Sequence, residues 1–214
     1  MYDKDYAMKW IQNYESRKDN LRVEYIEPIL KQKIQSLPEN LEILDIGCGW
    51  GTVVGFLKDN QKYYGVDINS EFFSYIEQNF PYKNINLIEG SLPDNIKLDK
   101  KFDFVMCSMV LHCIRDLEKS LESIFFSLKS QKEAFIIDFS NNGWQVLKNE
   151  TFNPIYEQNE NYIKGIATLS SGIRVLAEAY NHNEENLEEE LQKYGSYKKQ
   201  YLGQLFVSYE IVKK

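Results

Sequence analysis

One stretch of the chain, Leu41-Glu-Ile-Leu-Asp-Ile-Gly-Cys-Gly-Trp-Gly51, constrains the fold more than any other. It has the pattern of a short buried strand that runs into a loop with three closely spaced glycines. The residues that follow, Thr52-Val-Val-Gly-Phe-Leu57, predict a helix that continues to about Asn60. A strand, a glycine loop and a helix in this order let the backbone come close to a nucleotide-like ligand.

Residues 41–139 alternate between short apolar strands and helices. The predicted strands cover 41–46, 63–67, 84–89, 102–108 and 135–139. Helices are predicted at about 70–79, where Pro81 ends the helix, and at 117–129, where Asp116 is the N-cap. This alternation predicts an α/β fold with a parallel, doubly wound sheet.

The segments on either side break the alternation. Residues 1–36 are predicted to be helical, with Pro28 as a kink or an interruption near the middle of the second helix. Residues 140–160 are polar and aromatic, and we expect a loop with a short helix there. The remaining elements are strands 162–168 and 173–180 around Ser170-Ser-Gly172, a helix at 184–194 capped by Asn183, and two strands within 197–212 joined at Gly203-Gln204.

The composition bounds the class of protein. The 214 residues are 43% hydrophobic, which suits one domain with a substantial core and excludes a disordered chain. The 25 basic and 32 acidic residues give a net charge of −7, which lacks the basic footprint of nucleic-acid binding. No apolar run is long enough to span a bilayer, and the N-terminus lacks the pattern of a signal peptide. We therefore expect a cytoplasmic protein without a membrane or nucleic-acid partner.

The chain has three cysteines, at positions 48, 107 and 113. They form no CxxC pair and no even framework, so we expect reduced thiols that pack as small apolar groups, and no metal site.

Two classes of cofactor use a glycine loop of this kind. Dinucleotide sites favour the spacing G-x-G-x-x-G, which holds a pyrophosphate at a helix N-terminus. Here Gly51 comes one residue early, and Asp45 lies two positions before Gly47. A carboxylate at that position would repel a pyrophosphate but suit a cationic amino-acid group. Asp67, at the end of the second strand, can accept hydrogen bonds from both ribose hydroxyls and fits either class.

Three segments in register resemble the motifs of class I S-adenosylmethionine-dependent methyltransferases. Glu42-Ile-Leu-Asp-Ile-Gly-Cys-Gly-Trp-Gly51 is similar to their first motif, and Val66-Asp67 to their acidic second motif. Phe102-Asp-Phe-Val-Met-Cys-Ser-Met-Val-Leu-His-Cys-Ile-Arg-Asp116 is similar to their fourth-strand segment. The resemblance covers about 41–139. It implies a Rossmann-like, seven-stranded, mostly parallel sheet in which the antiparallel C-terminal hairpin supplies the last two strands.

The resemblance also divides the chain into parts with expected roles. We expect a single methyltransferase domain made of four segments: an N-terminal helical cap at 1–36, a cofactor-binding core at 41–139, an acceptor-side insertion at 140–196 and a terminal strand pair at 197–214. The cap and the insertion would set the acceptor specificity, because both lie outside the sheet pattern.

The implied cofactor is S-adenosyl-L-methionine, with S-adenosyl-L-homocysteine as the product. The expected contacts lie in the glycine loop and at the ends of the neighbouring strands: Asp45, Gly47, Cys48, Gly49, Gly51, Asp67, Ile68, Ser91, Leu92 and Cys107. The N-terminal helix of this family often closes over the cofactor, which adds Trp10 and, for the methionine carboxylate, Arg17. The alternative for Asp45 is a structural carboxylate that binds the loop N–H groups, and the alternative for Arg17 is a solvated charge.

The chain departs from the family pattern after the third and fourth strands. Many members carry Gly-Asp-Ala after the third strand, where the Asp meets the adenine amine, whereas this chain has Gly90-Ser-Leu92. Cys113 replaces a common second histidine. The Asn/Asp-Pro-Pro-aromatic motif of adenine-specific DNA enzymes is replaced by Cys107-Ser-Met-Val110, which disfavours nucleobase amines as acceptors. Asn153-Pro-Ile-Tyr156 has a similar pattern but follows the fifth strand, and we interpret it as a turn.

Two histidines are the candidate catalytic residues. His112 follows the fourth strand, near the expected position of the reactive methyl group, and could take a proton from a hydroxyl or an amine. His182 belongs to Tyr180-Asn-His182, a loose version of an element found in some small-molecule methyltransferases. The alternative for both is a buried histidine that is hydrogen-bonded to the backbone.

The sequence therefore predicts an S-adenosylmethionine-dependent methyltransferase that acts on an O or N atom of a small molecule, as a monomer or a homodimer. The flanking segments are rich in aromatic residues, which favours a covered, mostly apolar pocket. The alternatives are a methyltransferase of protein or RNA, a module that binds the cofactor without turnover and, last, an NAD-dependent oxidoreductase.

Overall fold

The structure is a computed structural model that describes residues 4–93, 98 and 100–214. Residues 1–3 of the predicted N-terminal helical segment lie outside the described residues. Within them the chain forms ten strands: β1 (Glu42–Ile46), β2 (Lys62–Asp67), β3 (Ile85–Glu89), β4 (Phe102–Ser108), β5 (Leu128–Phe139), β6 (Phe152–Gln158), β7 (Tyr162–Thr168), β8 (Arg174–Tyr180), β9 (Gly195–Leu202) and β10 (Phe206–Lys213).

Six α-helices accompany these strands in the described part of the chain. They are α1 (Lys4–Glu15), α2 (Glu27–Ser36), α3 (Glu71–Asn79), α4 (Leu117–Phe126), α5 (Asn141–Val146) and α6 (Glu184–Tyr194). Short 3₁₀ segments cover Thr52–Phe56 and Leu111–Cys113, and π-helical turns cover Arg22–Ile26 and Leu147–Thr151. Across the described ranges, no helix has both the length and the apolar character that crossing a membrane requires.

Seven strands form the central sheet in the order β3-β2-β1-β4-β5-β10-β9. β1 to β5 run parallel, and β10 pairs antiparallel with both β5 and β9. The middle strands are apolar along most of their length because helices cover both faces of the sheet. Two apolar clusters result, one on each face. The predicted doubly wound sheet with its antiparallel C-terminal hairpin is confirmed.

A second sheet of three antiparallel strands, in the order β6-β7-β8, lies beyond the carboxyl ends of the central strands. Its apolar residues cluster with Trp144 and with the aromatic rings of Tyr6 and Trp10 on α1. The side-chain oxygen of Asn13 on α1 accepts a hydrogen bond of 2.9 Å from the backbone N–H of Ser171, in the turn between β7 and β8. Helix α1 therefore bridges the central domain and the small sheet.

Two local predictions differ from the structure, and a third, at Pro28, is confirmed as an interruption. The segment after the glycine loop is a short 3₁₀ turn over Thr52–Phe56 and not a helix to Asn60, because three β-branched residues and a glycine favour helix weakly. Pro28 lies in the first turn of α2, directly after the π-helical turn at Arg22–Ile26, so the predicted interruption falls at this junction. The segment Asn153–Tyr156 is part of β6 and not a turn, since proline is compatible with an edge strand.

The packing of α5 against the C-terminal hairpin gives a test of the fold. A Cβ atom on Gly143 would overlap the backbone oxygen of Leu205. We expect Gly143→Ala to lower the free energy of unfolding by about 1–3 kcal/mol or more, the usual cost of overpacking. The measurement is urea unfolding followed by circular dichroism.

Gly55→Ala is the matched control, because a Cβ atom there would lie 3.5 Å from the Phe80 ring, an ordinary contact. This variant should keep the wild-type stability or gain up to roughly 1 kcal/mol. Equal effects of the two substitutions would contradict the packing of α5 described above.

Candidate active site

A cavity of about 580 Å³ lies at the carboxyl ends of β1, β2 and β4. Ligands of open α/β sheets bind at this edge, where the strand order reverses. The glycine loop forms one wall, α1 covers the cavity, and the small sheet closes the far side. Its volume lies within the roughly 300–1,000 Å³ that is usual for small-molecule sites.

Hydrogen bonds fasten the glycine loop to β2. The backbone N–H groups of Gly47 and Cys48 donate to the Val66 oxygen at 2.8 and 3.0 Å. The N–H of Gly49 donates to Oδ2 of Asp67 at 2.8 Å. Oδ1 of the same carboxylate accepts the N–H of Asn69 at 2.9 Å. The loop is thereby held in one conformation at the end of the strand.

The three loop glycines have different functions, although all have positive φ angles of 73°, 49° and 79°. A Cβ atom on Gly47 would overlap Val110, and one on Gly51 would approach Ile76 to 2.8 Å. A Cβ atom on Gly49 would meet nothing within 4 Å. Gly47 and Gly51 are thus required for packing, whereas Gly49 faces open space; Gly47 and Gly49 line the cavity and Gly51 does not.

Asp67 lines the cavity and keeps hydrogen-bonding capacity. Burial raises the pKa of its carboxyl group, and hydrogen bonds from the backbone of Asn69, Gly49 and Ile68 act in the opposite direction. A carboxylate offers about four acceptor sites, and the backbone groups named here use up to three of them. At least one remains available to a ligand.

Asp45 lies beneath the loop and does not line the cavity. Its Oδ2 accepts a hydrogen bond of 2.7 Å from the Tyr63 hydroxyl on β2. Burial raises the pKa of Asp45 to about 7, while the Tyr63 hydrogen bond acts in the opposite direction. The proposed alternative for Asp45, hydrogen bonds to the loop N–H groups, is also not observed, because Val66 and Asp67 accept them.

The remaining predicted cofactor residues divide between the cavity and its surroundings. Those that line the cavity are Trp10, Cys48, Ile68, Ser91 and Leu92. Cys107 is fully buried within β4 and does not line it. Burial raises the pKa of the Cys48 thiol well above its usual range, in keeping with a small apolar group.

The arginine in the cavity is Arg22 and not the predicted Arg17. Arg17 has a side chain that is 61% exposed, lies over the Tyr14 ring and approaches Glu27 at 4.0 Å. Arg22 lies 4.9 Å from the centre of the Trp50 ring, and Trp50 stacks on Trp10 at 6.2 Å. Burial lowers the pKa of Arg22, and nearby carboxylates act in the opposite direction.

Three N–H donors of this cluster have no partner within the described residues. They are Nε1 of Trp10, Nε1 of Trp50 and Nε of Arg22, and all three residues line the cavity. Buried donors are normally hydrogen-bonded, so a site that groups three free ones is suited to a ligand with acceptor atoms. Nothing in the spacing of residues 21–30 distinguishes Arg22 from a surface charge, which is why sequence reasoning missed it.

His112 lines the cavity and is paired with a carboxylate. Its Nδ1 lies 2.8 Å from Oδ1 of Asp138, and its backbone N–H donates to Oδ2 of the same residue at 3.1 Å. Burial lowers the pKa of His112, but Cys113 and Asp138 outweigh it, and the pKa is raised well above its usual range. The predicted alternative, a histidine bonded to the backbone through its ring, is therefore not what the structure shows.

Asp138 is a second residue that sequence reasoning missed. It lies at 6% exposure near the end of β5, within the otherwise apolar run Phe135-Ile-Ile-Asp-Phe139. Burial raises the pKa of its carboxyl group, but His112 and backbone N–H groups outweigh this and lower it. A lone aspartate in an apolar strand was the signal that could have found it, since such a charge requires a buried partner.

His182 lies away from the cavity, in a neighbouring polar cleft with Arg115 and Tyr180. Its Nε2 is 2.6 Å from the backbone oxygen of Ile114. This is the structural alternative considered for it. The two histidines are not brought together by the fold.

The chain matches a family model described as "Methyltransferase domain" over residues 37–206. It belongs to the methyltransferase-domain family. Together with the seven-stranded sheet, this confirms the prediction of a class I S-adenosylmethionine-dependent methyltransferase.

Solved structures of two methyltransferases have similar folds. An S-adenosylmethionine-dependent methyltransferase from Clostridium acetobutylicum has a TM-score of 0.69 and 16% identity, over 95% of this chain and 98% of that chain. Magnesium protoporphyrin IX methyltransferase from Synechocystis PCC 6803, with bound S-adenosylhomocysteine, has a TM-score of 0.65 and 16% identity, over 96% and 93%.

A curated relative matches only part of the methyltransferase chain. The mitochondrial arginine-hydroxylase NDUFAF5 of Rattus norvegicus is 36% identical over 89 residues, which are 40% of this chain and 25% of that protein. The chain thus spans about a quarter of the length of the curated relatives it matches.

The residues of the methyltransferase site fit S-adenosylmethionine, the cofactor of class I enzymes. S-adenosylmethionine carries a ribose, an adenine ring and an amino acid with a carboxylate. The free acceptor sites of Asp67, the free donors of Arg22 and the two tryptophans, and the open space at Gly49 match these groups in kind.

The buried carboxyl group of Asp45 gives a pH-dependent test. Its pKa is about 7 in the folded chain, compared with an ordinary value of 3.8 for an aspartate in the unfolded chain. Between these values the unfolded chain loses the proton and the folded chain keeps it, so stability falls as the pH rises. The full difference corresponds to roughly 4 kcal/mol.

We expect Asp45→Asn, which lacks this titration, to be more stable than the wild type at pH 8 by several kcal/mol and about equal to it near pH 4. Urea unfolding at several pH values measures the difference. Asp59→Asn, at an exposed carboxylate, should follow the wild type throughout. Parallel pH profiles for Asp45→Asn and the wild type would refute the burial argument.

Proposed function

We propose that this methyltransferase transfers a methyl group from S-adenosylmethionine to an O or N atom of a small-molecule acceptor by direct in-line displacement. The observation that carries the proposal is the covered cavity, which holds the glycine loop, Asp67 and the imidazole of His112 along one continuous wall. The cofactor residues lie at one end of this space. The other end is lined mostly by apolar side chains and is available to an acceptor.

When bound, S-adenosylmethionine supplies a methyl group that is already activated on a sulfonium. Asp67, which lines the cavity, would accept hydrogen bonds from the ribose hydroxyls, and Ser91 and Leu92 would lie beside the adenine. Nε of Arg22 and the Nε1 groups of Trp10 and Trp50, which have no partner among the described residues, would donate to the methionine carboxylate. Gly49 leaves room for the cofactor to approach the backbone.

The cover over the cavity supports a small acceptor. Helix α1 is fastened to the small sheet by the Asn13–Ser171 hydrogen bond, and its residues Ala7 and Ile11 pack against Phe72 on α3. A partly covered site shields the reacting atoms from water and aligns them, which can supply several kcal/mol without a covalent intermediate. A macromolecular acceptor would need an exposed cleft, and α1 lies across that approach.

His112 is the proposed general base for an acceptor that must lose a proton. Asp138 binds Nδ1, so the other ring nitrogen is the one left for an acceptor in the cavity. A carboxylate that fixes the orientation and charge of an imidazole in this way is a recurrent arrangement in proton-transfer sites.

Titration calorimetry with S-adenosylhomocysteine tests the cofactor half of the proposal. Asp67→Ala should weaken binding at least tenfold, or about 1.4 kcal/mol, because it removes the ribose acceptor and loosens the N–H of Gly49.

Asp59→Ala is the control, since that exposed carboxylate lies outside the cavity and pairs with Lys83. It should bind as the wild type does. A folded Asp67→Ala protein with unchanged affinity would show that the cofactor binds elsewhere.

A further inference from the structure

The far end of the cavity has a floor of small side chains. Ala167 on β7 and Ala177 and Ala179 on β8 line it, on the face of the small sheet that points inward. The end of the central sheet bounds the same space with Phe139 and Phe206, whose rings lie 5.5 Å apart. Alanines from the small sheet and aromatic rings from the central sheet give this part of the cavity, called the slot below, an apolar lining that suits an aromatic ring.

Most of the charged side chains that line the described cavity either lie away from the slot or already have partners. Arg22 and Asp67 lie at the glycine-loop end, and Asp19 accepts the backbone N–H of Arg22 at 3.1 Å. Glu178 accepts the Tyr162 hydroxyl at 3.1 Å and lies 3.8 Å from Lys164. This leaves the His112 imidazole as the ionisable nitrogen base beside the apolar slot.

Three hydrogen bonds already hold the carboxylate behind His112. Oδ1 of Asp138 is 2.8 Å from both Nδ1 of His112 and the backbone N of Phe139, and Oδ2 accepts the N–H of His112. An ammonium acceptor would find the Asp138 carboxylate paired with His112 and the Glu178 carboxylate already facing Lys164 at 3.8 Å. The described residues of the slot also include no arginine or lysine for a carboxylate acceptor. The slot favours a neutral acceptor that loses its proton on reaction.

We propose that the acceptor is a planar aromatic compound with a phenolic hydroxyl, that its ring lies in the slot between the alanine floor and Phe139, and that Asp138 is the positioning residue that holds His112 against this hydroxyl. This inference rests on the proposed methyl transfer and names its substrate class.

The reaction balances with the groups present. The phenolic O–H proton passes to the free ring nitrogen of His112, and the oxygen forms a bond to the methyl carbon. The carbon–sulfur bond breaks with its electron pair kept on sulfur, which gives an aryl methyl ether, S-adenosylhomocysteine and an imidazolium. The imidazolium is stabilised by Asp138 until it releases the proton to solvent.

The raised pKa of His112 is consistent with this acceptor. Phenolic hydroxyls ionise near pH 10, and an imidazole whose pKa is raised toward that value exchanges a proton with them at a smaller free-energy cost. An aliphatic alcohol is too weak an acid for an imidazole to ionise. Since the base must be neutral in the free enzyme, kcat/KM should rise with pH through the pKa of His112.

The first test uses the wild-type enzyme with saturating S-adenosylmethionine and four single-ring acceptors of similar size: a phenol, a benzylamine, a benzoate and a benzyl alcohol. Formation of S-adenosylhomocysteine is the readout. We expect kcat/KM for the phenol to exceed the other three by at least a hundredfold. Preference for the amine, the carboxylate or the alcohol would overturn the acceptor class.

The second test separates positioning from catalysis. Asp138→Asn should lower kcat at the plateau by at least tenfold, leave KM for the phenol within threefold, and shift the rising limb of kcat/KM to lower pH, because the carboxylate that raises the pKa of His112 is gone. His112→Gln should lose this limb and follow the ionisation of the phenol itself. An unshifted limb in Asp138→Asn would refute the positioning role, and if that variant does not fold, the acceptor panel still decides the substrate class.

Calorimetry keeps the two proposals distinct. Binding of S-adenosylhomocysteine to the wild type together with turnover of an acceptor other than the phenol refutes the phenol alone. Absence of that binding refutes the proposed function and the phenol with it.

Discussion

The carboxylate of Asp67 is the interaction on which the site depends. It accepts the N–H of Gly49 from the loop and the N–H of Asn69 from its own side of β2. The bond to Gly49 holds the loop where Gly47 packs against Val110, and the bond to Asn69 fixes the carboxylate at the end of β2. One side chain thus fixes the backbone of the loop and, in the proposed function, offers its remaining acceptor capacity to the ribose.

Several ionisable groups that are costly to bury lie in this cavity or directly beneath its wall. Asp45 is protonated more readily than usual, Arg22 lies over an indole ring, and His112 is paired with Asp138. Burial of charge is tolerated where a partner or a ligand compensates for it. The donors without a partner lie at the glycine-loop end, and His112 lies toward the apolar end. This distribution of charge matches the proposed positions of the cofactor and the acceptor.

The sheet and its glycine loop could be predicted because the apolar strands end at recognisable residues: a glycine follows β1 and β3, β2 ends at Asp67 and β4 ends at Ser108. The parts of the chain outside this pattern could not be predicted in the same way. β6 was not predicted because it contains a proline, which an edge strand tolerates. The 3₁₀ turn at 52–56 was predicted as a helix because its apolar run suits either structure. Arg22 and Asp138 were missed because their partners, Trp50 and His112, are about 26–28 residues away in sequence, and only the fold brings them together.

The most direct measurement of the central claim is a crystal structure of the protein with S-adenosylhomocysteine. The ribose hydroxyls should lie within hydrogen-bonding distance of Asp67, the amino-acid carboxylate near Arg22, and the sulfur atom should face His112 and the apolar end of the cavity. A nucleoside bound outside this cavity, or a sulfur atom that faces away from His112, would contradict the account.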